Sequence, residues 1–246
     1  MTDPWNLYIG LMKSTCLFPA LILFGLMASP EILAQATFGF KGGVNHNTMK
    51  IKFTPTVPFG FNVEAPPNAT ASGLGFHTGI YLNTTGDATA GLLLEVLYSR
   101  RSSAYDYDYV LGGVSSYTGR IEYRLEYVEV PILINFKATD ELQITFGAAA
   151  AIAQAGSFLD VGTMKYSSPQ LEFTNTYKDR GSTTKDLTKV VLDVVVGAQF
   201  EVLNGFHCGL RYLVDMNNAD NSDQTDTKSN VLQFSVAYDI FGRRKE

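Results

Sequence analysis

Eight segments of this chain alternate apolar and polar residues with period two, and the connections between them alternate between very short and long. The segments run over residues 38–45, 74–82, 91–98, 126–137, 142–152, 190–202, 206–215 and 232–240. Each has one apolar line and one mixed line; the sixth sets Val190, Leu192, Val194 and Val196 against Asp193 and Gly197. The fourth, "EYVEVPILINFK", sets Val128, Val130, Ile132, Ile134 and Phe136 against a face that holds Glu129 and Pro131. A strand buried on both sides tolerates neither an unpaired carboxylate nor a proline, so the two faces of this wall meet different surroundings.

The connectors add independent information. "TTGDA", "ATDE" and Asn204-Gly205 join segments two to three, four to five and six to seven, and the last is a strong hairpin signal. The others are long: a Pro-rich stretch after the first segment, "SAYDYDYVLGGVSS", a polar run around "SSPQLEFTNTYKDRGSTTKD", and "MNNADNSDQTDTKSN". All short turns fall at one end and all long loops at the other. That is the layout of an all-β, eight-stranded antiparallel up-and-down transmembrane β-barrel with short periplasmic turns and long extracellular loops.

A soluble ligand-binding barrel of lipocalin type uses the same alternation with the faces reversed. Composition separates the two. The polar face is rich in small residues (Gly75, Gly79, Gly91, Gly147, Ala149, Gly197, Gly209) among a few charges of both signs, which suits an interior only wide enough for its own side chains. The apolar face carries almost no charge and ends in Tyr98, Phe136, Tyr212 and Tyr238, as interfacial girdles do.

The N-terminus agrees with export. Lys13 precedes an apolar run from Leu17 to Met27, and Ala34 and Ala36 form an A-x-A site, so residues 1–36 read as a signal peptide cleaved after Ala36. Met12 is a candidate initiator, because no positive charge precedes it. The barrel domain is then residues 37–246, with Cys208 as its one cysteine and no disulfide within the chain. A formal charge of −5 with no basic run excludes nucleic acid as an expected partner.

"FGFKGGVN", "LLLEVLYS", "YVEVPILINFK", "DVVVGAQFE" and "LRYLVD" together resemble the PorT-like family of bacterial outer-membrane β-barrel proteins, over essentially the whole of residues 37–246. The resemblance implies an eight-stranded barrel in the outer membrane, and some such relatives are linked to protein secretion. The tail departs from it, with "GRRKE" following Phe241 where such barrels often end on an aromatic residue.

Lys41, Glu95, Glu129, Asp193, Glu201 and Arg211 all project from the polar face. They could line an ion path or an acid/base site, but buried charges must be paired, and a structural ion-pair network is the simpler expectation. Arg211 or Lys41 is the expected partner of Glu129. Pro131 predicts a bulge or one absent ladder bond beside it. His77 and His207 point inward and His46 lies at a loop mouth, yet there is no Gly-x-Ser-x-Gly elbow, so a lipid-modifying enzyme is the alternative rather than the expectation. No histidine or cysteine cluster has metal-ligand spacing, and neither metal nor cofactor is expected. Asp215, Asp220, Asp223 and Asp226 could hold calcium in the last loop, which lacks the Gly and closing Glu of an EF-hand. Tyr105, Tyr107 and Tyr109 offer either a recognition surface or a strand extension above the membrane. The expected function is a monomer in outer-membrane lipid with a structural or interaction role in secretion or envelope maintenance, engaging a protein partner through its extracellular loops.

Overall fold

The computed structural model describes residues 36–53, 69–86, 88–111, 115–168, 170–184, 187–219 and 225–241. Residues 1–35, which hold most of the expected signal peptide, the Pro-rich connector, Asp220, Asp223 and the tail from residue 242 lie outside them. The described residues form nine strands: β1 (Thr37–Phe53), β2 (Ala69–Asn83), β3 (Ala90–Leu111), β4 (Ser115–Lys137), β5 (Leu142–Ser168), β6 (Leu171–Ser182), β7 (Val190–Leu203), β8 (Phe206–Asp215) and β9 (Thr225–Phe241).

Eight of them close a ring. Antiparallel pairing runs β1, β2, β3, β4, β5, β7, β8, β9 and back to β1, where Val44 opposes Phe234. The ninth strand, β6, pairs only with the outer half of β5, from Ser157↔Ser182 to Ser168↔Leu171. Stretches expected as loops are therefore largely strand: "AYDYDYVL" continues β3, and "LEFTNTYKDRGS" is β6. A membrane-spanning strand needs about 9–11 residues, whereas β3, β4 and β5 have 22, 23 and 27. Their outer halves rise beyond the barrel and, with β6, form a four-stranded extracellular sheet.

The faces fall as the alternation requires. Phe40, Val96, Ile132, Val194, Leu210 and Phe234 are exposed on the outside, while Lys41, Glu95, Glu129, Asp193 and Arg211 are buried inside. Phe136 stacks on Phe146 at 5.5 Å near the short turns, and Phe76 meets Tyr98 at 5.9 Å near the other rim. The outer apolar belt of β3 and β4 ends where Arg100 Nη2 bonds Glu126 Oε1 at 2.7 Å, with the guanidinium 5.3 Å above the Phe76 ring. Inside, Tyr81, Leu93, Leu133, Ala149, Val195, Leu213, Val231 and Ala237 pack into one apolar cluster.

Two irregularities have local causes. Leu94 pairs with Ile132 and pairing resumes only at Leu97↔Glu129, so Glu95 and Val96 lack ladder partners opposite Pro131 and Val130. Proline has no N–H to offer there, and on its other side Pro131 stays paired with Ala149. The register shift lies elsewhere, in β5: Glu126 opposes Ala155 while Tyr127 opposes Ala153, leaving Gln154 as the extra residue. This bulge falls where β5 leaves β7, after Ile152↔Val190, and before it takes up β6. One extra residue bends the strand away from the ring.

Candidate functional site

Two ion clusters fill the lumen. In the one nearer the short turns, Lys41 Nζ donates to Glu95 Oε1 at 3.0 Å, while Arg211 donates to Glu95 Oε2 at 2.5 Å and to Oε1 at 2.9 Å. Arg211 fits because Gly197 faces it: a Cβ there would lie 2.5 Å from Arg211 Cγ. The second cluster centres on Arg101, which donates to Glu129 Oε1 from Nε at 3.0 Å and from Nη2 at 2.8 Å, to Asp193 Oδ2 at 2.7 Å and to Asp215 Oδ1 at 3.2 Å. One cation there serves three carboxylates, and neutral donors add further bonds to two of them, while Asp193 Oδ1 has no hydrogen-bond partner among the described residues. Gln233 Nε2 donates to Glu129 at 3.2 Å, and the Ser229 N–H to Asp215 at 2.9 Å.

The partner of Glu129 is thus Arg101, not Arg211 or Lys41, both of which are held by Glu95. Asp215, grouped with the loop acids for calcium, instead closes this lumenal cluster; the side chain of Asp226 is outside the described residues. Glu201 stands apart from both clusters, at the β7–β8 turn, where it accepts the Gly205 N–H at 3.2 Å. That turn is the expected one, with Gly205 at φ +76°.

The histidines sit in separate networks. A ring nitrogen of His77, Nδ1, lies 2.6 Å from Asn45 Oδ1, and Asn45 Nδ2 donates to Ser99 Oγ at 3.0 Å. Ser99 is therefore linked to the imidazole through an amide rather than bonded to it. His207 Nε2 lies 3.0 Å from Asp239 Oδ2, whose other oxygen accepts from Tyr81. Neither arrangement brings a nucleophile to a base. Among the described residues no group of three or more His, Cys, Asp or Glu is placed to hold a metal.

The extracellular sheet has an inner face rich in tyrosine. Register places Tyr107, Gly119, Gly162 and Tyr177 in one row across β3, β4, β5 and β6. The two glycines leave a gap that the flanking tyrosines arch over: their hydroxyls meet, and Tyr107 Oη also donates to Asp160 at 2.7 Å. Burial, with the bonds to Tyr177 and Asp160, holds the Tyr107 phenol well above its ordinary pKa of 10. Tyr105 stacks on Tyr123 and packs by Met49, Ile51 and Ala71. Tyr105 and Tyr107 therefore turn toward the barrel mouth, and it is Asp106 and Asp108 that face out; the Tyr109 side chain is outside the described residues.

The sequence matches the family model for the outer membrane protein beta-barrel domain over residues 16–239. No curated protein matches it. Among solved structures it is similar to Ail, the attachment invasion locus protein of Yersinia pestis, at 12% identity and TM-score 0.35, over 84% of this chain and 99% of that one. Neisserial surface protein A aligns at 12% identity and TM-score 0.39, over 81% and 96%. The outer membrane protease OmpT from Escherichia coli aligns at 8% identity and TM-score 0.32, over 84% and 97%.

Proposed function

Because this chain belongs to the outer membrane protein beta-barrel domain family, a family of the bacterial outer membrane, we propose that it is a sealed, monomeric anchor whose extracellular sheet engages a protein partner. The role is structural, within a secretion or envelope-maintenance system, a reading supported by the resemblance of the sequence to PorT-like barrels. The observation that carries this reading is the contrast between lumen and sheet. Charged lumenal side chains bind one another at 2.5 to 3.2 Å, which opposes transport through the barrel. The sheet, by contrast, rises above the apolar belt and presents β6, which among the described residues is paired on one side only. The pairing of both lumenal histidines with amide or carboxylate, rather than with a nucleophile, speaks against lipid modification.

In-cell photo-crosslinking tests it. A crosslinker at Asn175, exposed on the opposite face of β6 from Thr176, should trap a defined partner, and a barrel in which β6 and the outer halves of β3 to β5 are replaced by short turns should no longer co-purify with that partner. The truncated barrel should still show heat-modifiable mobility, and full-length protein in planar bilayers should give no steady conductance. Steady conductance, no crosslinked partner, or co-purification of the partner that survives the truncation would sink the reading.

A further inference from the structure

A second surface of the sheet faces the other way, toward the lipid side. On β4 the even-numbered residues that carry Ile132, Ile134 and Phe136 outward continue upward as Glu126, Arg124, Glu122 and Arg120. Register sets them beside β5 and β6 in three rows: Arg124, Ser157 and Ser182; Glu122, Leu159 and Arg180; Arg120, Val161 and Lys178. Four cations face one carboxylate within these nine positions, in a chain whose formal charge is −5. Arg120 is partly neutralised by Asp106 at 3.2 Å and Glu122 at 3.5 Å, and Arg124 reaches Glu122 only at 3.9 Å. Lys178 and Arg180 are exposed and make no ion pair with any described residue. Directly above, Thr118, Val161, Thr163 and Thr176 line a shallow trough whose β3 side carries Asp106 and Asp108, so the cationic part of the patch is its lower side, at Arg124 on β4 and Lys178 and Arg180 on β6.

We infer that this patch docks the phosphorylated glycolipid of the outer leaflet, with Arg124, Lys178 and Arg180 on its phosphates and the threonine-lined trough against its sugars. Three observations converge on that occupant. The patch is continuous with the lipid-facing belt, so its height matches headgroups rather than solvent. Its excess positive charge complements phosphate. Its hydroxyls and half-buried Leu159 suit a sugar face rather than a bare ion. The inference rests on outer-membrane residence and is independent of the protein partner proposed above.

The test uses full-length folded protein in detergent, with intact-complex mass spectrometry as readout. Lipid A, phosphatidylglycerol and inorganic phosphate are the probes. The variant Arg124→Glu/Lys178→Glu/Arg180→Glu should retain lipid A about tenfold less well or worse, while Lys50→Glu/Lys228→Glu, exposed on β1 and β9, should change retention less than about twofold. Equal retention of phosphatidylglycerol, displacement of lipid A by equimolar inorganic phosphate, or an unaltered triple variant would each overturn the site. Retention that falls equally in the β1–β9 control would overturn it too, as general anionic attraction. Heat-modifiable mobility checks folding, and Arg124→Gln/Arg180→Gln replaces the triple variant if reversal prevents assembly.

Discussion

Arg101 grips Glu129 with two nitrogens that converge on a single carboxylate oxygen, at 3.0 and 2.8 Å, leaving the other oxygen to Gln233. The same guanidinium lies 5.0 Å over the Tyr127 ring and reaches two further carboxylates. It is therefore the keystone of an otherwise self-repelling group. Arg101→Met leaves Glu129, Asp193 and Asp215 buried with no cation and should cost about 3–5 kcal/mol. Glu129→Gln should cost less, because Arg101 keeps both aspartates. Urea unfolding of the reconstituted barrel, followed by heat-modifiable mobility, orders the two; a milder loss for Arg101→Met would refute the assignment.

The outward face makes a separate claim. Val194 is 47% exposed on β7, amid Leu192 and Val196. In a bilayer that exposure is contact with lipid, so Val194→Arg should cost about 2–4 kcal/mol near the midplane. In water the same change would be nearly neutral. Cys208, on the same face of β8 as exposed Leu210 and Tyr212, should resist water-soluble maleimides in intact membranes and react once the barrel is unfolded. Fast labelling of the folded protein would mean that the faces are reversed.

How far the sequence could be read depends on contrast between faces. Within the bilayer one face is apolar and the other is not, so Val194 and Asp193 announce their sides. Above it both faces are polar, and the contrast vanishes. Arg101 escapes the pattern for this reason: Ser99, Arg101 and Ser103 point inward and Arg100 and Ser102 outward, but the third segment stops at Tyr98 and the loop reading starts at Ser103, so Arg101 falls in neither. Extending the phase of β3 past Leu97 would have found it. Strand β6 was hidden for the same reason, since Thr174, Thr176, Lys178 and Arg180 lie on one side and Phe173 and Tyr177 on the other, nearly all exposed. Side-chain partners were less legible still. Glu129 could be placed inside by parity, but choosing Arg101 over Arg211 required the register between β3 and β4.

The double-glycine gap should be intolerant of filling. A Cβ at Gly162 would stand 2.5 Å from Tyr107 Oη and 2.7 Å from Tyr177 Oη. Both are ends of side chains, so the arch would open rather than the backbone break, at roughly 1–3 kcal/mol. Gly162→Ala should speed proteolysis within the β5–β6 hairpin while the ring keeps its heat-modifiable mobility. Cleavage at the parental rate would show that the arch contributes nothing to holding the sheet.

The same arch gives the sheet a pH limit. Tyr107 is held neutral first by burial and then by its bonds to Tyr177 and Asp160, so its folded pKa lies above the unfolded value of 10. A phenol with a raised folded pKa contributes its stabilisation fully below the unfolded value, and that contribution falls as pH rises beyond it. Protection of the hairpin from proteolysis should therefore be flat up to about pH 10 and decline above it. Tyr107→Phe should remove the decline, because no phenolate can form, while lowering protection uniformly at neutral pH through loss of the two hydroxyl bonds. In tyrosinate absorbance titrations the variant should lack one late-ionising phenol. A parental decline retained in Tyr107→Phe would assign the pH limit to another group.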